Sequence, residues 1–87
     1  MLEKLRLQID EIDKEMAILF SKRMDLINEI NKEKRKSNIS IYQSDREKHI
    51  KENNIKYVNV KYKDEYLDFI NKILTISKMY QEKNDEK

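Results

Sequence analysis

The chain has no glycine, no proline and no cysteine, and only one histidine, His49. Without glycine it cannot form a Walker loop or a dinucleotide-binding fingerprint, which need backbone free of a Cβ beside the phosphates. Without cysteine there is no disulfide framework, thiol nucleophile or zinc knuckle, and a single histidine cannot make a His-rich metal site. The longest apolar run is the five residues Met16 to Phe20, and Leu2 is followed at once by Glu3, Lys4 and Arg6. We therefore expect no signal peptide, no membrane span and no membrane partner. A net charge of +2 is too small to imply nucleic acid as a partner, although the local run Lys32, Lys34, Arg35, Lys36 leaves that open.

What the chain does contain is charge and periodicity. With 38% hydrophobic and 41% charged residues in 87 positions, it makes one domain at most and can bury only a thin core by itself. Leu2, Leu5, Ile9, Ile12, Met16, Leu19, Arg23, Leu26 and Ile30 follow an unbroken 3,4 spacing, the mark of a long helix whose apolar seam packs against other helices. With no breaker in the way, helix 1 is expected over 2–36, roughly 50 Å long. Such a helix would protrude from a compact monomer this small. A second copy covering the seam is the simplest remedy.

Ser37 to Tyr42 changes to polar and β-branched residues suited to a loop. Ser44-Asp45-Arg46-Glu47 then reads as a capping box that opens a short helix 2 over about 44–53. Val58, Val60 and Tyr62 alternate as a strand would, but a lone strand has nothing to pair with, so 54–61 reads as a linker. Helix 3 is expected over about 62–81, with Tyr62, Tyr66, Phe69, Ile70, Ile73, Leu74, Ser77 and Tyr80 on one face. The tail 82–87 should fray. The fold class is all-α, with one long, one short and one medium helix.

Arg23 occupies a place where a leucine belongs. A guanidinium cannot lose its charge to ease burial, so Arg23 requires an anionic partner, either a protein carboxylate or a bound acid. Lys34 lies eleven residues on, within about 20° of the same helix face and roughly 16 Å along the axis, so both side chains can reach a small molecule between them. Arg6 lies about 25 Å from Arg23 and roughly 100° around the helix; one chain cannot bring both to one small ligand, whereas an antiparallel partner helix could. Ser77 and Gln81 are adjacent at i and i+4 on helix 3. With Arg46 and Glu47 these residues suggest a cage for a small, dense anion. No plausible nucleophile or tuned base accompanies them, so any reaction there should rely on positioning and electrostatic stabilisation. Singly, each has a plainer reading: a snorkelling Arg23, a solvated Lys34, a Ser77 that permits close packing, a Gln81 on a fraying end, and His49 at the surface or an interface.

Taken together and in order, Leu5-Arg6, Ile9-Asp10, Ile12-Asp13, Arg23, Lys34, Arg46-Glu47 and the Ser-x-x-x-Gln of Ser77 and Gln81 make a pattern that resembles the all-helical (type II) chorismate mutase family. The resemblance covers nearly the whole chain. It implies an intertwined homodimeric helical bundle with two equivalent sites that convert chorismate to prephenate without a cofactor, in cytoplasmic aromatic amino acid biosynthesis. By that analogy Arg6 of the partner subunit and Arg23 bind the substrate carboxylates, with Ser77 assisting and Arg46 contacting or supporting. Lys34 and Gln81 would donate to the ether oxygen, and Glu47 would accept from the ring hydroxyl. Many members carry an aspartate three residues before the helix 2 arginine, where this chain has Gln43. Glutamine is harmless if that position contributes a backbone N–H to the substrate, and weakens affinity if it contributes the carboxylate. Two rival functions stay open: an isochorismate pyruvate lyase-like enzyme, and a noncatalytic helical dimerisation module.

Overall fold

The computed structural model describes residues 1–37 and 44–85. Three helices carry the fold: α1 (Leu2–Ser37), α2 (Ser44–Asn54) and α3 (Lys63–Asp85). No strand is found among the described residues, and no helix there is long and apolar enough to cross a membrane. The chain is all-α.

Arg23 meets Ser77 and Asn31 meets Gln81. These pairs advance together along both helices, so α1 and α3 run in the same sense where they touch, and α2 carries the chain back between them. The long dimension of the molecule, 54 Å, matches the rise of about 54 Å for a 36-residue helix. The radius of gyration, 15.9 Å, exceeds the value of about 12 Å for a compact domain of this length. The excess comes from α1, whose residues 2–20 are exposed throughout.

The buried residues lie where the second half of α1 meets α3. Ile70, Leu74, Ser77 and Gln81 recur at spacings of four, three and four on α3, and Asn31 faces them from α1. Only Ile70 and Leu74 of these five are apolar. A helix interface this rich in polar side chains has been given up, in part, to something other than stability. At the outer edge of the expected helix 3 face, Tyr62 and Phe69 are exposed, and the Phe69 ring leans on Tyr66 at 6.3 Å between centroids.

Residues between α2 and α3 form two 3-10 turns, Ile55–Tyr57 and Val60–Tyr62. Each is closed by a backbone bond, Val58 N–H to the Ile55 carbonyl and Tyr62 N–H to the Asn59 carbonyl. The Asn59 side chain accepts from the Lys61 N–H at 3.1 Å, a local alternative to strand pairing that asparagine supplies readily. The structure carries α3 to Asp85, past the end expected at about residue 81. The reason is tertiary, because Gln81 is buried against α1.

Candidate active site

The second half of α1, α2 and the last turns of α3 enclose a pocket of about 300 Å³, within the range of small-molecule sites. Its apolar walls are Leu26, Ile27 and Ile30 from α1, Ile50 from α2 and Leu74 from α3. Its polar lining is Arg23, Lys34, Arg46, Glu47, Ser77, Lys78 and Gln81. Six of the eight residues marked by the sequence thus share one cavity. Arg6 does not: it is exposed on the first half of α1, about 25 Å along the helix from Arg23. Gln43, and the loop expected around it, lie outside the described residues.

Helical spacing explains how the polar groups converge. Arg23 and Lys34 fall on nearly one line along α1, Arg46 and Glu47 open α2, and Ser77 and Gln81 stack on one face of α3. Arg23 is half-buried and its guanidinium donates a hydrogen bond to the Ser77 hydroxyl. That hydroxyl donates in turn to the Ile73 carbonyl at 3.0 Å. The partner the described residues give Arg23 is therefore neutral, where the sequence argument asked for an anion. Burial, and then the nearby positive charge of Arg46, push the Arg23 pKa down; a guanidinium still keeps its charge across the physiological range. Four cationic side chains and one carboxylate line the pocket, an imbalance that favours a ligand with more than one negative charge.

Ser77 is no activated nucleophile, because its proton goes to a backbone carbonyl and its oxygen accepts from an arginine rather than facing a base. What the pocket offers is donors and charge in fixed positions. Lys78 and Asn31 escaped the sequence argument. Lys78 follows Ser77 directly and lies about 100° off its face, so helical spacing assigns it to the outside, yet it is half-buried and lines the cavity. Asn31 is 2% exposed; its one sequence signal is a polar, mediocre helix former three residues before Lys34 and four after Ile27.

A model of the family described as chorismate mutase type II matches residues 5–82. The chain belongs to the type II chorismate mutase family. Nothing among curated proteins or solved structures matches it. The matched span takes in all of the pocket lining and also Arg6, so membership in this family of isomerases covers both the packed and the exposed parts of the chain.

Proposed function

We propose that this chain is a chorismate mutase, converting chorismate to prephenate by an intramolecular Claisen rearrangement in a homodimer with two equivalent sites. The observation that carries the reading is the convergence of Arg23, Lys34, Arg46, Glu47, Ser77 and Gln81 on one cationic pocket in a chain of this family. In this reaction one C–O bond breaks as one C–C bond forms within a single molecule, so no nucleophile or proton acceptor is needed. The protein has to hold the reactive conformer and stabilise the charge that grows on the ether oxygen.

The residues divide that work by their chemistry. Arg23, steadied by Ser77, and Arg6 of the partner subunit bind the two carboxylates, and Arg46 adds positive charge on the α2 side. Lys34 and Gln81 donate to the ether oxygen, one as a charge and one as a neutral N–H. Glu47 accepts from the ring hydroxyl and fixes its orientation. Gln43 serves the hydroxyl through its backbone N–H; were the family's carboxylate needed there, affinity would be weaker. The exposed seam of α1 supports the dimer, since a second copy would cover it and bring Arg6 within reach. Aromatic amino acid biosynthesis in the cytoplasm goes with this reading.

Separate incubations with chorismate and isochorismate test it. Prephenate should form from chorismate, and Lys34→Ala should lower turnover about 10²- to 10³-fold while the circular dichroism of the helices is retained. Pyruvate and salicylate from isochorismate without prephenate from chorismate would assign a lyase instead. No turnover of either compound would leave only a dimerisation module.

A further inference from the structure

Asn31 is the most buried side chain in the described structure, at 2% exposure, yet it does not line the pocket. Its amide Nδ2 donates to the backbone carbonyl of Gln81 at 3.5 Å, across fifty residues of sequence. Its Oδ1 is fully buried with no hydrogen-bond partner among the described residues. The unpaired oxygen is costly for a fold that needed only stability. An unpaired buried carbonyl oxygen costs about 1–3 kcal/mol, and a leucine at the same place would add to a core whose buried apolar residues are Ile70 and Leu74.

The position of the contact suggests what the cost maintains. Asn31 stands one turn before Lys34 on α1, offset from the line joining Arg23 and Lys34 by about 60–80°, on the side turned to α3. Gln81 lies in the last stretch of α3, which ends at Asp85, where helix ends ordinarily fray. A carbonyl has two lone pairs, so the Gln81 carbonyl can accept both its helical bond and the asparagine amide. At 3.5 Å the contact is long for an N–H···O bond, but burial leaves the amide little else to bind.

We propose that Asn31 is a positioning residue for the proposed mutase reaction, tying the Gln81 turn of α3 to the Lys34 turn of α1 so that the two donors to the ether oxygen keep a fixed separation. This rests on the proposed function for its chemistry. The tie itself concerns only the two helices.

Two variants test it, Asn31→Leu and Asn31→Ala, each measured for turnover, melting and amide exchange. Asn31→Leu should melt at or above the parent temperature, because it removes a buried unpaired oxygen, and still lose about tenfold in kcat with KM within about twofold. In a Gln81→Ala background the same change should lower kcat by less than about twofold, because the donor it positions is already gone. Amide exchange at 82–85 should quicken about tenfold in both variants. A merely structural asparagine would move melting and leave kcat and the coupling to Gln81 alone. Should leucine overpack and unfold the chain, Asn31→Ala carries the same expectations for kcat and exchange.

The inference is overturned if kcat stays within about twofold of the parent in a folded variant, or if the loss is undiminished in the Gln81→Ala background. It is also overturned if exchange at 82–85 is unchanged. A parent protein that makes no prephenate defeats the proposed function instead, and the exchange measurement then judges the tie by itself.

Discussion

The two halves of α1 follow one sequence rule and meet different surroundings. From Leu2 to Leu19 the seam residues are all exposed, with Ile9 at 55% and Ile12 at 56%. From Arg23 onward α1 packs on α3 through the half-buried Arg23 and the buried Asn31, and a pocket opens along the seam, where Leu26 and Ile30 remain 63% and 45% exposed. A 3,4 pattern shows that a helix face will be covered, but not by what. In the second half the same chain supplies a largely polar cover beside the seam, over Asn31, while Leu26 and Ile30 on the seam stay exposed at the mouth of the pocket. In the first half, on the proposed dimer, the cover comes from another copy.

A charge placed in each half should separate these situations most sharply. Ile12→Glu alters a half-exposed side chain, so by itself it costs the single chain little. In a covered seam it would bury a carboxylate without a partner. We expect sedimentation to show monomers that remain largely helical, and turnover to fall by about a hundredfold or more as Arg6 is withdrawn. Leu74→Glu, in the packed half, should instead remove the fold of the chain itself. Dimers of Ile12→Glu with near-normal turnover would mean the first half of α1 has another role.

The next effect is a recovery rather than a loss. If a site takes Arg6 from one subunit and Lys34 from the other, Arg6→Ala and Lys34→Ala homodimers are each inactive. After subunit exchange at equal amounts, half of the dimers are hybrids, and each hybrid has one site with both cations. Activity should return to about a quarter of the parent's. Exchange shown by mass without any return of activity would put both cations of a site on one chain.

How much of this was legible beforehand depended on how local its cause was. The helices follow from spacing within a few turns, and so do the shared faces of Arg23 with Lys34 and of Ser77 with Gln81, whereas the meeting of those two faces spans more than fifty residues. The continuation of α3 from Glu82 to Asp85 was not legible, because a tail of Glu, Lys, Asn and Asp by itself reads as frayed and Gln81 meets Asn31 from fifty residues away in sequence. Val58, Val60 and Tyr62 alternate like a strand, yet Asn59 and two backbone bonds close 3-10 turns there. Lys78 reached the pocket against its helical position, which a long, flexible side chain allows and a face count does not register.

The smallest effect concerns Arg23 alone. Its pKa is lowered by burial first and by Arg46 second, so the folded state holds this proton less tightly than the unfolded chain does. Stability therefore rises with pH only in strongly alkaline solution, as the pH climbs through the lowered folded-state pKa. Below that window both states are fully charged and the penalty is constant. Arg23→Leu restores the 3,4 apolar seam, and Ser77 keeps its bond to the Ile73 carbonyl. Because Arg23 is only half-buried, the gain should be modest, a rise of about 2–4 °C in Tm at matched protein concentration. The rise should be the same at pH 6 and pH 8, while turnover falls as steeply as in Lys34→Ala. A gain that changed between those two pH values would trace the cost to a group that titrates there. A fall in Tm would mean that the bond to Ser77 holds α1 to α3 more strongly than the buried charge drives them apart.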